Sequence, residues 1–307
     1  MATLEEICSS DESWDMARQL VHKHLSAASL TWRLIHNAWL GAIDEKEFVK
    51  LFCFTRLPTA GILRAANMPD DDKSSVENIT QAVKTLGVPL ASVVVGIQLS
   101  CYLALKQQPE PIWKKTCFEM MALVEIGYRF GSRVRELGPA AGALAGFGVG
   151  CGMLIALNEN PTYLSEWLGK SPPRPSTLSI FGTEVSQISG FMLQHLGYGH
   201  EAAFGAAFGS GIYSKAALEF SSQSLTWIAA CRWIESLRNS RNYPRDMVLR
   251  AAFPAIAPPA VGSGLRNTTL EVLYSEVAPV VRDGSQWSWH LPKHSYEETE
   301  VFLMEQS

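Results

Sequence analysis

The side chains able to do chemistry are few and scattered. Seven histidines (His22, His24, His36, His195, His200, His290 and His294) are the candidates for metal binding or proton transfer. A metal site needs several His, Cys, Asp or Glu side chains to converge at a suitable spacing. His22 and His24 are two apart and point to different faces of a helix. His290-x-x-x-His294 has a metal-like spacing, but Pro292 lies between them and disfavours the helix that would align them. His195 and His200 flank Leu196-Gly197-Tyr198, and no Ser or Cys nucleophile signature accompanies them. Asp70-Asp71-Asp72 offers three carboxylates without the spacing of a calcium loop and reads as a helix cap. Gly146-x-Gly148-x-Gly150-x-Gly152 is not a phosphate loop. Residue 151 is Cys, no Lys-Ser/Thr follows and no strand precedes it. Close helix packing explains these glycines better.

Six cysteines (Cys8, Cys53, Cys101, Cys117, Cys151, Cys231) contain no C-x-x-C pair, and five sit in apolar runs. They read as reduced core thiols. Over 307 residues the chain is 47% hydrophobic and only 18% charged, with net charge −4. A large core is therefore expected. A nucleic-acid partner is not, because such proteins carry a basic footprint. Lys114-Lys115 has Glu119 nearby, and Arg129, Arg133 and Arg135 have Glu125 and Glu136. These clusters read as solvated helix faces. The acidic opening Met1-Ala2-Thr3-Leu4-Glu5-Glu6 has no basic-then-apolar leader, so a cytoplasmic location is expected.

The elements that must position these residues are helices throughout. A first amphipathic segment opens around Ser10 to Trp14 and a second runs from about Ala27 to Trp39, stopping at Gly41. Asp44-x-x-Glu47 and Ser74-x-x-Glu77 read as capping boxes, and Gly87 as a helix stop. Pro58 suits the first turn of a helix ending near Asn67. Pro89 starts a helix to about Lys106, and Pro109 and Pro111 mark a boundary. Helices are expected over Trp113–Glu136, Ala140–Leu157, Tyr163–Leu168, Glu184–Leu196, Glu201–Phe208, Ala216–Asn239 and Thr268–Val281, with a loop at Lys170–Thr177. Thr85–Leu105 and Gly138–Leu157 are uncharged and near bilayer length. They lack aromatic belts and read as buried core helices rather than membrane spans. Trp287 and Trp289 are placed either to anchor a partner or to pack back onto the domain.

Five segments resemble HDOD (HD-related output) domains, a branch of the HD phosphohydrolase superfamily. Leu144-Ala145-Gly146-Phe147-Gly148-Val149-Gly150-Cys151-Gly152 is similar to the family's L-A-G-L-L-H-D-I-G, and Ile62-Leu63-Arg64-Ala65-Ala66-Asn67 to its L-L-R-L-A-N. Ile79 to Gly87 resembles I-x-x-A-I-x-x-L-G. Trp113-Lys114-Lys115-Thr116 stands where many members have W-x-H-S. Phe181-Gly182-Thr183-Glu184 to Tyr198 resembles the later segment. The set covers about residues 15 to 235 in the family's order.

In that alignment the metal-binding His-Asp pair is Val149-Gly150, the first metal His is Lys115, and the later His falls near Ser186. The family's Asp-Pro is Thr55-Arg56 and its closing His-His falls near Gly209-Ser210. Hydrocarbon and hydrogen cannot hold a divalent cation, and an ammonium at 115 beside the site would repel one. The small side chains would let neighbouring helices fill the vacated pocket.

The resemblance implies an all-α, HDOD-type helical bundle: an N-terminal helical part over 1–108, a degenerate HD-like bundle over 111–240 and a C-terminal helical extension over 241–307. It implies a non-catalytic regulatory or scaffolding protein of bacterial signal transduction. Such a protein would use no cofactor or metal and would bind other signalling proteins, with a homodimer among the possible assemblies. The alternatives are a metal-dependent HD-type phosphohydrolase with relocated ligands, and a small-molecule or nucleotide sensor using the vacated pocket. The first has little to work with, since residues 111–240 contain two histidines and no Asp. A membrane-associated protein built on the two uncharged helices is a third. Asn67, Gln81, Lys115, Arg129 and Arg133 are the weak binding candidates, the last three near the former pocket.

Overall fold

A computed structural model describes residue 4 and residues 11–25, 29–53, 56–69, 75–105, 110–167, 174–209, 220–240, 243–259 and 265–287. The readings of Cys8, Thr55, Asp70 to Asp72, Ser74, Pro109, Ser210, Trp289, His290 and His294 lie outside the described residues. Within them the chain is helical with no strand, as the hydrophobic periodicity predicts.

Helix α1 spans Glu12–His24 and is capped by Asp11, whose carboxylate accepts the Ser13 N–H at 2.8 Å. The cap is therefore Asp11 rather than Ser10. Trp14, Ala17, Leu20 and Val21 make its buried face. Helix α2 (Ser29–Trp39) ends two residues before Gly41. Helix α3 (Glu45–Phe52) starts as expected, with Asp44 accepting the Glu47 N–H at 2.8 Å. Helix α4 is Arg56–Ala65. Helix α5 (Val76–Leu86) is capped by Ser75, one residue after the expected Ser74, because Ser75 Oγ reaches the Asn78 N–H. Gly87, at φ +76°, ends it, and α6 (Val88–Leu105) leaves at 106°.

Two helices form the centre: α7 (Glu110–Arg133) and α8 (Pro139–Gly150). They run side by side with backbone nearly on backbone. A Cβ built on Gly127 would stand 2.1 Å from the Gly142 carbonyl oxygen. One on Gly131 would stand 2.2 Å from that of Gly138, and one on Gly146 2.1 Å from that of Leu123. Only hydrogen fits at these positions, so the glycines serve helix packing as the sequence indicated. The expected single helix over Ala140–Leu157 is two, α8 and α9 (Gly152–Glu159), meeting at Cys151. Pro139–Glu159 is long and apolar enough to cross a bilayer, but 83% of its apolar window is buried among neighbouring helices. The α6 run passes that test only jointly with α5.

Helix α10 is Pro161–Ser165 and α11 is Arg174–Phe181. A loop was expected over Lys170–Thr177. The helix begins inside it because Pro175 stands in the first turn, where no N–H is needed. Helices α12 (Val185–His195), α13 (His200–Gly209) and α14 (Ser222–Ser240) continue the bundle. Glu184 and Gln187 form a reciprocal capping box at the start of α12. A short helix α15 (Met247–Ala251) and a 3-10 turn at Pro254–Ile256 come next, neither of them expected from the sequence. Helix α16 (Thr268–Asp283) follows, capped by Asn267. α1 packs on α12, and α16 packs on α7.

Lys23 and His24 of α1 both bind the Glu159 carboxylate at the end of α9, Lys23 Nζ at 2.7 Å. Burial pushes the Glu159 carboxyl up, but bonds to Lys23 and His24 outweigh it and hold it below the usual range. The stability drawn from this tie is complete above the ordinary carboxylate pKa and is lost as pH falls through the lowered one. Glu159→Gln should therefore cost under about 1 kcal/mol at pH 7 and progressively less as pH falls below the ordinary carboxylate range, a trend urea unfolding at a series of acid pH values would read.

Candidate functional site

Three elements meet where the resemblance places the metal: α7, the α8–α9 junction and the start of α12. The space beside Gly150 is taken by hydrocarbon. A Cβ there would stand 2.6 Å from Leu123 Cδ1 and 3.2 Å from both Met120 Cε and Sδ. Val149 is half-buried and packs onto the core. The Gly152 N–H donates to Ser189 Oγ at 2.9 Å, and Cys151 Sγ lies 3.8 Å from the Ser189 carbonyl oxygen. Ser186 is half-buried in the first turn of α12. Cys101 of α6 and Cys117 of α7 share a thiol hydrogen bond. That contact and then burial raise the Cys101 thiol well above its ordinary pKa, and burial pushes Cys151 up to about 12. Thiols so raised keep their protons at neutral pH, and it is the thiolate that ligates metals. The five described cysteines are buried and free, matching the core-thiol reading.

Lys115 is exposed to solvent on α7, as suits an ammonium that would be costly to bury. Among the described residues no group of three or more His, Cys, Asp or Glu is placed to hold a metal ion.

The other sequence-selected residues do not converge. Asn67 is exposed at φ +56° and ends α4. Its N–H bonds to the Arg64 carbonyl, and the Met68 N–H reaches back to that of Leu63 at 2.8 Å. This is a helix stop, which Asn tolerates. Gln81 is exposed on α5, its backbone oxygen accepting the Thr85 hydroxyl.

Arg129 and Arg133 hold α16 and the segment that follows it onto α7. Glu125 is 0% exposed. Its Oε1 accepts Arg129 Nε at 2.9 Å and Nη2 at 2.5 Å. Its Oε2 accepts the Ser285 hydroxyl at 2.7 Å and the Gln286 N–H at 2.8 Å. Arg133 makes a two-pronged bond to Glu276 of α16, and Trp287 packs on Tyr128 with centroids 4.9 Å apart. Of the two readings of Trp287, packing back is the one observed.

One constellation escaped the sequence. Arg18, Val21 and His22 of α1 face Phe191, Gln194 and His195 of α12 across a cleft of about 210 Å³. The His22 and His195 rings stand edge to face, 5.2 Å apart. His195 Nε2 lies 2.9 Å from the Leu25 carbonyl oxygen, so Nε2 donates and carries the proton of the neutral ring. Burial lowers the His195 pKa, the bond to Leu25 opposes this, and His22 adds to the fall. Arg18 and His22 share a face at i, i+4. Nothing local to them announces a partner some 170 residues on.

No family model and no curated protein matches the chain. Its architecture does have a solved counterpart. A 1.90 Å crystal structure of an HDOD domain protein of unknown function from Geobacter sulfurreducens matches it with a TM-score of 0.55 and 15% identity, over 96% of each chain. Two structures of the MmoQ response regulator from Methylococcus capsulatus overlap it at a TM-score of 0.35 and 18% identity. One covers 75% of this chain and 89% of its own, the other 81% and 96%.

Proposed function

We propose, from the HDOD-type helical fold of this chain, that it is a non-catalytic regulatory or scaffolding protein of bacterial signal transduction. On this reading it acts in the cytoplasm through contacts with other signalling proteins. The observation that carries the proposal is the content of the centre. Where an HD enzyme would hold its metal pair stand Val149 and Gly150, with Met120 and Leu123 closed over the glycine. Metal-assisted hydrolysis needs an open coordination position for the water it activates, and hydrocarbon side chains supply neither ligands nor that opening. The same packing leaves a sensor little room at this point. Met247 and Val248, neighbours on α15 and 69% and 50% exposed, offer apolar surface to a partner.

The test is elemental mass spectrometry of protein exposed to manganese, iron, zinc and magnesium, alongside hydrolysis of phosphomonoester and phosphodiester probes. The expected result is no stoichiometric metal and no turnover above buffer. Bound metal with turnover abolished by Val149→Glu or by chelation would replace this reading with the hydrolase.

A further inference from the structure

We propose that the cleft between α1 and α12 binds a phosphate group, free or carried by a small molecule, through Arg18, His22 and His195. The cleft has the size for such a ligand and a lining that suits an anion and no cation. Its polar side chains are a guanidinium, two imidazoles and the amide of Gln194. Val21, 1% exposed, and Phe191, 4% exposed, provide the apolar wall. No carboxylate lines it. Asp15, which is not among the lining residues, is bound to Arg18 Nη2 and to Gln19 Nε2. A metal ion would find two imidazoles and a repelling guanidinium. A tetrahedral oxyanion would find donors approaching from two different helices, a geometry that a planar carboxylate matches less well.

His195 makes the site responsive to charge. Its Nε2–H is committed to the Leu25 carbonyl, so the neutral ring presents an Nδ1 lone pair. With the site empty, burial and the neighbouring His22 disfavour a second proton. A bound dianion supplies the missing counter-charge, so His195 takes up a proton at Nδ1 and turns that atom into a donor. Arg18, His22 and Asp15 on α1 and His195 on α12 are the titratable or charged groups identified at the cleft, and it is His195 that gains a proton as the anion binds. Binding is therefore tighter at pH 6 than at pH 8.

The experiment is an NMR titration of the full chain with inorganic phosphate, a simple phosphate monoester and acetate, following the histidine ring and arginine side-chain signals. Saturable shifts are expected at Arg18, His22 and His195 with both phosphates. The His195 pKa should rise on binding, and acetate should bind more weakly. A tighter monoester would assign the site to a phosphorylated small molecule, and tighter inorganic phosphate to the free ion. Arg18→Ala and His22→Ala, both at exposed positions, should each weaken binding about tenfold with the fold intact. Arg18→Lys should recover part of that loss. Shifts that do not saturate, or variants that bind as the parent does, would overturn the proposal. The result is independent of the regulatory reading, which the metal and turnover measurements decide.

Discussion

Glu125→Gln is expected to lower the unfolding free energy by about 3 kcal/mol. The carboxylate is wholly buried and serves two masters, with one oxygen on Arg129 and the other on Ser285 and Gln286. A glutamine has one acceptor oxygen and one NH2 group. Whichever way its amide turns, the NH2 faces either the guanidinium or the Ser285 and Gln286 donors. Breaking a buried charged pair costs about 3–5 kcal/mol. The Arg129 side chain is 26% exposed and can partly rehydrate, which puts the loss at the lower end. Urea unfolding would measure it, and hydrogen exchange would show the Gln286 N–H losing protection. A loss under about 1 kcal/mol, typical of an exposed pair, would show that the carboxylate is not held as described.

Gly142→Ala is the second large effect, and its sign runs against helix propensity. Alanine favours an isolated helix over glycine by about 1 kcal/mol. Here its Cβ would stand 2.2 Å from the Gly127 carbonyl oxygen and 2.8 Å from Gly131 Cα. Those are backbone atoms and cannot rotate aside, so α7 and α8 must move apart and open the packing along both. Overpacking of this kind costs about 1–3 kcal/mol and occasionally more, and a net loss of about 2 kcal/mol is expected. Gly148→Ala is the control. Its nearest neighbours stand at 3.1 Å, the Leu193 methyl, which can turn aside, and the Ala206 Cβ, which needs a shift of only a few tenths of an ångström, so it should cost less than about 1 kcal/mol. Equal losses for the two variants in chemical unfolding would contradict the close backbone approach.

What the sequence made legible is what neighbouring residues decide. Asp44 with Glu47 announces a helix start because the bond spans three residues, and Gly87 announces a stop because few residues adopt φ +76°. The six glycines between 138 and 152 signalled close packing, and their partners Gly127 and Gly131 were present in the preceding helix. The all-helical class followed from such local signals. The residues that converge in the fold were hidden for the opposite reason. Arg129 and Glu125 at i, i+4 look like a solvated surface pair. Glu125 is nevertheless buried, and Ser285 and Gln286 cap its second oxygen some 160 residues later. Lys115 was placed by alignment alone, which fixes a position along a helix without fixing which side of it meets the core. His22 and His195 carry no mark of each other.

The Glu125 tie also bears on how the chain is made. Synthesis is vectorial, so the carboxylate leaves the ribosome 160 residues before Ser285 does. At about 5–20 residues per second this is an interval of about 8–30 s. Throughout it Glu125 and Arg129 have their own bond but lack the hydroxyl and the amide that complete it. The Glu125 side of α7 therefore lacks these partners until α16 and the residues after it have been made, and its last ordering step follows their translation. Nascent chains halted before residue 285 should accordingly expose Glu125 to carboxyl-labelling reagents, while the finished protein shields it.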